Sequence, residues 1–208
     1  MKLMYAPASP FARKVRASAI ELGLGDAIEL VLTKVAPGSP NEAYARNYNP
    51  LRKIPALELE DSTVLYDSTV ICEYLDARAG GGGIIPAAGE DRWRVLTRHA
   101  LAQGMCEAAI LLRYETWLRP EEVCWPTWVE EQWGKIRNGL DWFEANAETL
   151  EGTMDLANIA LGCLLGYLDF RFAEEDWRAR CPRLDGWFAE ISRRDSFTAT
   201  DPALTAVT

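Results

Sequence analysis

The sequence predicts an α/β N-terminal domain of βαβ-ββα order followed by an all-α helical bundle. Three observations predict it. Short apolar runs alternate with helical periodicity through residue 78, only helix-like patterning follows residue 89, and the chain's one low-complexity stretch, Ala79-Gly80-Gly81-Gly82-Gly83, lies between. The expected division is 1–78 for the α/β domain, 79–88 for the linker and 89–208 for the helical domain.

Lys2 to Ala6 reads as the first strand. Pro10 opens a helix, because a first-turn residue needs no N–H partner, and Phe11, Val15, Ala19 and Leu22 recur at helical spacing. Gly23 or Gly25 ends it. Ile28 to Leu32 is continuous and apolar, predicting a strand buried within a sheet. A loop rich in Pro and Asn follows. Ala56 to Leu59 and Val64 to Tyr66 then flank the turn residues Glu60-Asp61-Ser62-Thr63, which predicts an antiparallel hairpin. Asp67 or Ser68 caps the next helix, whose half-apolar face carries Ile71, Tyr74, Leu75 and Arg78. Four consecutive glycines cannot sit inside a helix without a large entropic cost, so they form the linker. Beyond it, helices are expected near 89–118, 126–149, 155–172 and 183–193.

Composition narrows the function. The chain has 208 residues, 49% of them hydrophobic, enough for a sizeable core without metal or disulfide. A net charge of -9 offers no basic stripe for nucleic acid. That charge is uneven: residues 1–78 hold nine Lys/Arg against ten Asp/Glu, and the remainder holds thirteen against twenty-one. A small anion meets less repulsion at the first segment. The longest apolar run, Ile159 to Leu168, is half of the roughly 20 residues that span a bilayer, so no membrane segment is expected. Pro7 interrupts the start before a signal-like apolar stretch forms, and five scattered cysteines without a C-x-x-C pattern read as reduced thiols. A cytoplasmic protein is the expectation. His99 is the only histidine, leaving no histidine cluster for a metal site.

Three motifs carry chemistry. Ser9 stands between the first strand and the proline-started helix, where unpaired N–H groups and the helix dipole favour an anion. By itself Ser9 reads equally as an N-cap. In Asn49-Pro50-Leu51-Arg52-Lys53-Ile54-Pro55, a proline directly precedes a strand. A cis Ile54–Pro55 bond there leaves the Ile54 backbone free to pair with an extended peptide, and a trans loop is the alternative. Asp67-Ser68 at a helix start suits an amino-acid head group, the amide and hydroxyl of Ser68 gripping a carboxylate and Asp67 accepting from an ammonium, or else simply caps the helix.

In order and spacing, Ser9-Pro10-Phe11, the Asn-Pro…Lys-Ile-Pro stretch and Asp67-Ser68 resemble glutathione transferases. The likeness is greatest to bacterial serine-type members, including the YibF-like branch, and extends to Arg113-Tyr114-Glu115 and Arg119-Pro120. It implies a thioredoxin-like fold for the first domain, glutathione as co-substrate, a small electrophile as second substrate, and a homodimer. On that likeness Asp67 and Ser68 hold the γ-glutamyl end and Ile54 beside Pro55 and Lys53 takes the cysteinyl part; Phe11 walls the sulfur site or, as first-turn aromatics often do, packs inward. Ser9 is the expected thiolate donor, with Tyr5 as runner-up. Where relatives carry a Ser/Thr…Asp capping box in the sixth helix, this chain has Asp155…Asn158, weakening the reciprocal half.

Several expectations concern the helical half. Gln103, Met105, Cys106, Ala109 and Arg113 share much of one helix surface and line the electrophile pocket or pack between the domains, and Cys106 either faces the cleft or, as the commoner explanation, is a scattered buried cysteine. The stripe Leu156, Ile159, Cys163, Tyr167 reads as core, and the eight tryptophans as helical-domain and dimer packing. His99 reads as structural or exposed. Against transferase stand a non-catalytic glutathione-binding scaffold and a glutathione-dependent thiol reductase or peroxidase. A serine cannot form the mixed disulfide that reductase chemistry requires.

Overall fold

The structure, a computed structural model, describes residues 1–38 and 41–205. Residues 206–208 of the predicted helical domain lie outside the described residues. The N-terminal domain runs β1 (Lys2–Tyr5), α1 (Pro10–Glu21), β2 (Glu29–Leu32), α2 (Glu42–Asn47), β3 (Ala56–Glu58), β4 (Val64–Leu65) and α3 (Ser68–Arg78). Its sheet has the order β2-β1-β3-β4, parallel between β1 and β2 and antiparallel elsewhere.

The expected order is present, with two corrections. β2 is an edge strand rather than a buried one, and Leu30 and Leu32 are 43% and 69% exposed. β2 pairs with β1 alone, so its other edge has no strand beside it. The Pro- and Asn-rich loop also contains α2, capped by Asn41, whose side chain accepts from the Tyr44 N–H at 3.0 Å. Tyr44 and Tyr48 stack there, ring centroids 5.6 Å apart, and pack with Met4 and Ala56. α1 starts at Pro10 and ends before Gly23, whose φ of +70° suits a residue without Cβ.

The glycine run is pinned. Asp76, buried near the end of α3, accepts from the Gly82 N–H at 2.9 Å and the Ile84 N–H at 2.7 Å. Ile84 in turn accepts from the Leu156 N–H at 2.9 Å. The helical domain follows as α4 (Glu90–Trp117), α5 (Pro126–Ala145), α6 (Leu156–Arg171), α7 (Trp177–Arg180), α8 (Pro182–Ile191), α9 (Asp195–Thr198) and α10 (Pro202–Thr205). α6 is its spine: every residue from Leu156 to Leu165 is buried, and the core continues from the sheet through α1 into α4 and α6. No helix among the described residues is long and apolar enough to cross a membrane.

Asp155 caps α6, accepting from the Asn158 N–H at 2.9 Å. Asn158 departs from a capping-box role. Its amide donates to the Leu150 and Thr153 carbonyls, and its oxygen accepts from Arg98 at 3.1 Å. The tryptophans divide: Trp177 is buried and Trp133 packs on the core, but Trp93, Trp117, Trp125 and Trp142 are exposed.

Candidate functional site

Ser9 caps α1, its Oγ accepting from the Ala12 N–H at 3.2 Å. That bond uses a lone pair and leaves the hydroxyl proton available. Around Ser9 lies a tight surface cleft without water-sized free space, floored by Pro7 to Pro10 and lined on its far side by Arg13, Cys163, Tyr167 and Pro202. α1 supplies one wall and α6 the other, so the site lies between the two domains.

Arg13 is the cleft's buried cation. Its Nε donates to Thr200 Oγ1 at 3.3 Å and its Nη2 to the Phe197 carbonyl at 3.2 Å, while its guanidinium lies 5.4 Å from the Phe197 ring centre. Gly166 makes room for it, since a Cβ there would come within 2.3 Å of Arg13 Nη1. Next along α1, Lys14 is fully buried and donates to Gln103 Oε1 at 2.9 Å, with His99 Nε2 at 3.0 Å. Among the described residues neither Arg13 nor Lys14 forms an ion pair. Two uncompensated positive charges therefore sit beneath the N-terminus of α1, adding to its dipole.

The cleft thiol does not use this field. Burial pushes Cys163 up to about 11 although Arg13 and Lys14 pull it down. Burial likewise raises the Tyr167 hydroxyl to about 12.

The Ile54–Pro55 bond is cis, as one of the two sequence readings required. β3 begins only at Ala56, and among the described residues the Ile54 backbone takes no hydrogen bond. The turn is held from behind. The Lys53 carbonyl accepts from Tyr44 Oη at 2.8 Å and Asn49 Nδ2 at 2.9 Å, leaving the Lys53 side chain exposed.

Asp67 caps α3, accepting from the Thr69 N–H at 2.9 Å and the Val70 N–H at 3.4 Å, and is itself exposed. Ser68 is buried at the first helical position, and its hydroxyl makes no hydrogen bond among the described residues. Phe11 is half-buried and packs against the core. Tyr5 does not line the cleft; the Arg16 guanidinium lies 5.2 Å from its ring centre.

On α4 the geometry favours the packing alternative over the pocket. Met105, Cys106 and Ala109 are interior, and burial raises the Cys106 thiol. Cys106 therefore faces the core and not the cleft. The Gln103 amide is committed to Lys14 and Glu107. Arg113 and Cys106 both act on Tyr167, the Arg113 charge pulling its pKa down and Cys106 pushing it up, and the Arg113 guanidinium lies 4.4 Å from the Trp117 ring centre. His99 is buried and structural.

Arg13, Lys14, Cys163 and Tyr167 were not legible as site residues. The stripe reading of α6 is correct for burial and silent on which members border a cleft. No group of three or more His, Cys, Asp or Glu residues is placed to hold a metal among the described residues.

Known proteins resemble this chain in both domains. The profile of the glutathione S-transferase N-terminal domain matches residues 8–78, and that of the C-terminal domain matches residues 126–190. The uncharacterized GST-like protein YibF of Escherichia coli K12 is 30% identical over 205 residues, 97% of this chain and 98% of the relative. A glutathione transferase family member from Pseudomonas fluorescens Pf-5, with bound glutathione, superimposes with a TM-score of 0.93 at 44% identity, covering 97% of this chain and 98% of that one. A second Pseudomonas fluorescens Pf-5 structure, with bound S-(propanoic acid)-glutathione, gives a TM-score of 0.89 at 43% identity, covering 97% and 99%. With both domain profiles matched and the likeness running the length of the chain, the protein belongs to the glutathione S-transferase family.

Proposed function

We propose that the chain is a glutathione transferase that ionises the thiol of glutathione at Ser9 and directs it at an electrophilic carbon of an apolar partner. The observation that carries this is the uncommitted Ser9 hydroxyl proton, in a cleft beside a helix N-terminus and the buried Arg13. A free thiol near pKa 8.5 is mostly protonated at neutral pH, and lowering it by about 2 units requires roughly 2.7 kcal/mol. One hydroxyl bond plus a helix terminus is of that order.

The peptide part is read as follows. The Ile54 backbone pairs with the cysteinyl residue, and Asp67 with Ser68 receives the γ-glutamyl head group, with Lys53 and Phe11 flanking. The exposed Asp67 carboxylate and the unpartnered Ser68 hydroxyl support this assignment. The glutathione and the thioether ligand held by the relatives from Pseudomonas fluorescens support sulfur as the reacting atom. In the reaction the sulfur lone pair forms the new C–S bond. With an aryl halide the carbon–halogen pair leaves as halide, and the thiol proton passes to solvent.

Disulfide exchange is disfavoured. Ser9 cannot form a mixed disulfide, and burial raises the pKa of Cys72, Cys106, Cys163 and Cys181. We read the protein as a detoxifying homodimer of the cytoplasm; the five scattered cysteines without a C-x-x-C pattern support the reducing compartment alone. Retention on immobilised glutathione together with turnover of 1-chloro-2,4-dinitrobenzene is the expected result. Retention with no turnover across a panel of aryl halides, epoxides and conjugated enones would favour a binding scaffold instead.

A further inference from the structure

Three side chains of α1 fasten the segment that follows α8, and one of these ties reaches the cleft. Glu21 accepts from the Arg194 guanidinium at 2.8 and 2.7 Å and from the Ser196 hydroxyl. Arg16 donates to the Ala199 carbonyl at 3.0 Å. Arg13 is the third, and of the three it alone lines the cleft with Ser9. The segment meets it there with Thr200 Oγ1 and the Phe197 carbonyl.

Thr200 is fully buried, and the direction of its hydroxyl is fixed. The proton goes to the Ser196 carbonyl at 2.6 Å, which leaves a lone pair for Arg13 Nε. On the other side Gly166 of α6 lies so near Nη1 that a Cβ would not fit between them. The guanidinium is thus held from two sides, one of them a residue 187 positions away in the chain.

Both acceptors are neutral oxygens, and among the described residues no carboxylate pairs with Arg13. The surroundings do not neutralise it either. Cys163 and Tyr167 from α6 are raised by burial and uncharged at neutral pH. Lys14 and Arg16 on α1 are cations, and Asp201, beside Thr200, accepts from the Ala203 N–H at 2.8 Å. The cleft has no water-sized space through which solvent would screen the charge. Packing of the segment accounts for Glu21 and Arg16, which hold it away from the cleft. It does not account for a cation in the cleft wall with neutral partners only, because burying an unpaired charge is costly.

We propose that Thr200 is a positioning residue of the sulfur site, holding Arg13 in the cleft wall so that its charge favours the glutathione thiolate at Ser9, the thiol proton leaving to solvent. This rests on the reading of Ser9 as the sulfur site. Ionisation of the thiol then depends on the C-terminal segment being docked on α1.

The thiolate absorbance of bound glutathione, followed against pH, tests this without requiring turnover, and calorimetry beside it reports binding. T200V deletes the acceptor and keeps the shape, and its thiolate midpoint should lie about half a unit above that of wild type. T200S keeps the acceptor and should match wild type. R194Q cuts a tie to the same segment outside the cleft; it should lose stability in denaturant and leave the midpoint in place. A T200V midpoint equal to that of wild type, with glutathione bound, overturns the inference alone. So does an equal shift in R194Q, since any loosening of the segment would then suffice. Loss of glutathione binding in both T200V and T200A makes Thr200 a folding residue and overturns it as well. Wild type that binds no glutathione, or binds it with the thiol titrating as in solution, overturns the sulfur-site reading and this inference together.

Discussion

The ammonium of Lys14 lies 3.0 Å from Nε2 of His99, so a buried cation of α1 is held against an uncharged imidazole of α4. Gln103 completes the cradle at 2.9 Å. For Nε2 to accept, the ring proton must sit on Nδ1. Burial, with Lys14 adding to it, depresses His99 from 6.5 to about 3.

A stability profile follows with a definite sign. The unfolded chain takes up a proton at His99 as pH falls below about 6.5, and the folded chain does not until near 3. His99 therefore contributes stability that is intact above 6.5 and lost progressively as pH falls through that window. The slope is at most about 1.4 kcal/mol per pH unit. Denaturant melts of wild type and H99Q across the window should diverge as pH falls, wild type weakening faster. Parallel curves would contradict the assignment.

Ser9 has two roles that kinetics and folding separate. S9A removes the donor to sulfur and should lower kcat/KM by roughly 10- to 100-fold, with glutathione affinity within about threefold. The thiolate absorbance of bound glutathione should titrate at higher pH than in wild type. The lost cap should cost about 1 kcal/mol in denaturant. Y5F should behave as wild type. A reversal between the two variants would move the donor role to Tyr5.

Asn49 and Tyr44 hold the Lys53 carbonyl, and Asn49 also accepts from the Leu51 N–H at 3.0 Å. Y44F leaves one donor in place and should cost about 1 kcal/mol. N49A removes bonds at both ends of a buried side chain and should cost roughly 2 to 3 kcal/mol, weakening glutathione several-fold through the Ile54 turn. Calorimetry beside chemical denaturation distinguishes the two losses.

Asn158 joins α6 to α4 through Arg98, whose guanidinium also lies 2.5 Å from Asp155. N158A leaves the Leu150 and Thr153 carbonyls without their donor and should destabilise by roughly 2 kcal/mol. N158D, which restores the acidic residue that a capping box favours, should not recover it. Thermal melts of both variants decide this.

Local signals made much of the fold legible. Pro10 and Gly23 bound α1 because proline fits a first turn and glycine a left-handed exit. Asp67 and Asp155 cap α3 and α6 through bonds to residues two to three positions away. Such features depend on neighbours in the chain. β2 was misread because an apolar run does not state how many strands will pair beside it. For Cys106 both cleft and core stayed open in the sequence, because a helix face shared with Arg113 does not state which neighbour it meets.

The sequence by itself determined the two-domain order, the caps, and the three motifs that resemble a glutathione site, since each is encoded within a few residues. Tertiary structure alone decided what surrounds Ser9. Arg13 is fixed by Thr200 and Phe197 from the far end of the chain, and Lys14 by His99 and Gln103 some ninety positions away. Whether a buried charge is neutralised, and which face of α6 borders a cleft, depends on groups brought together only when the two domains pack.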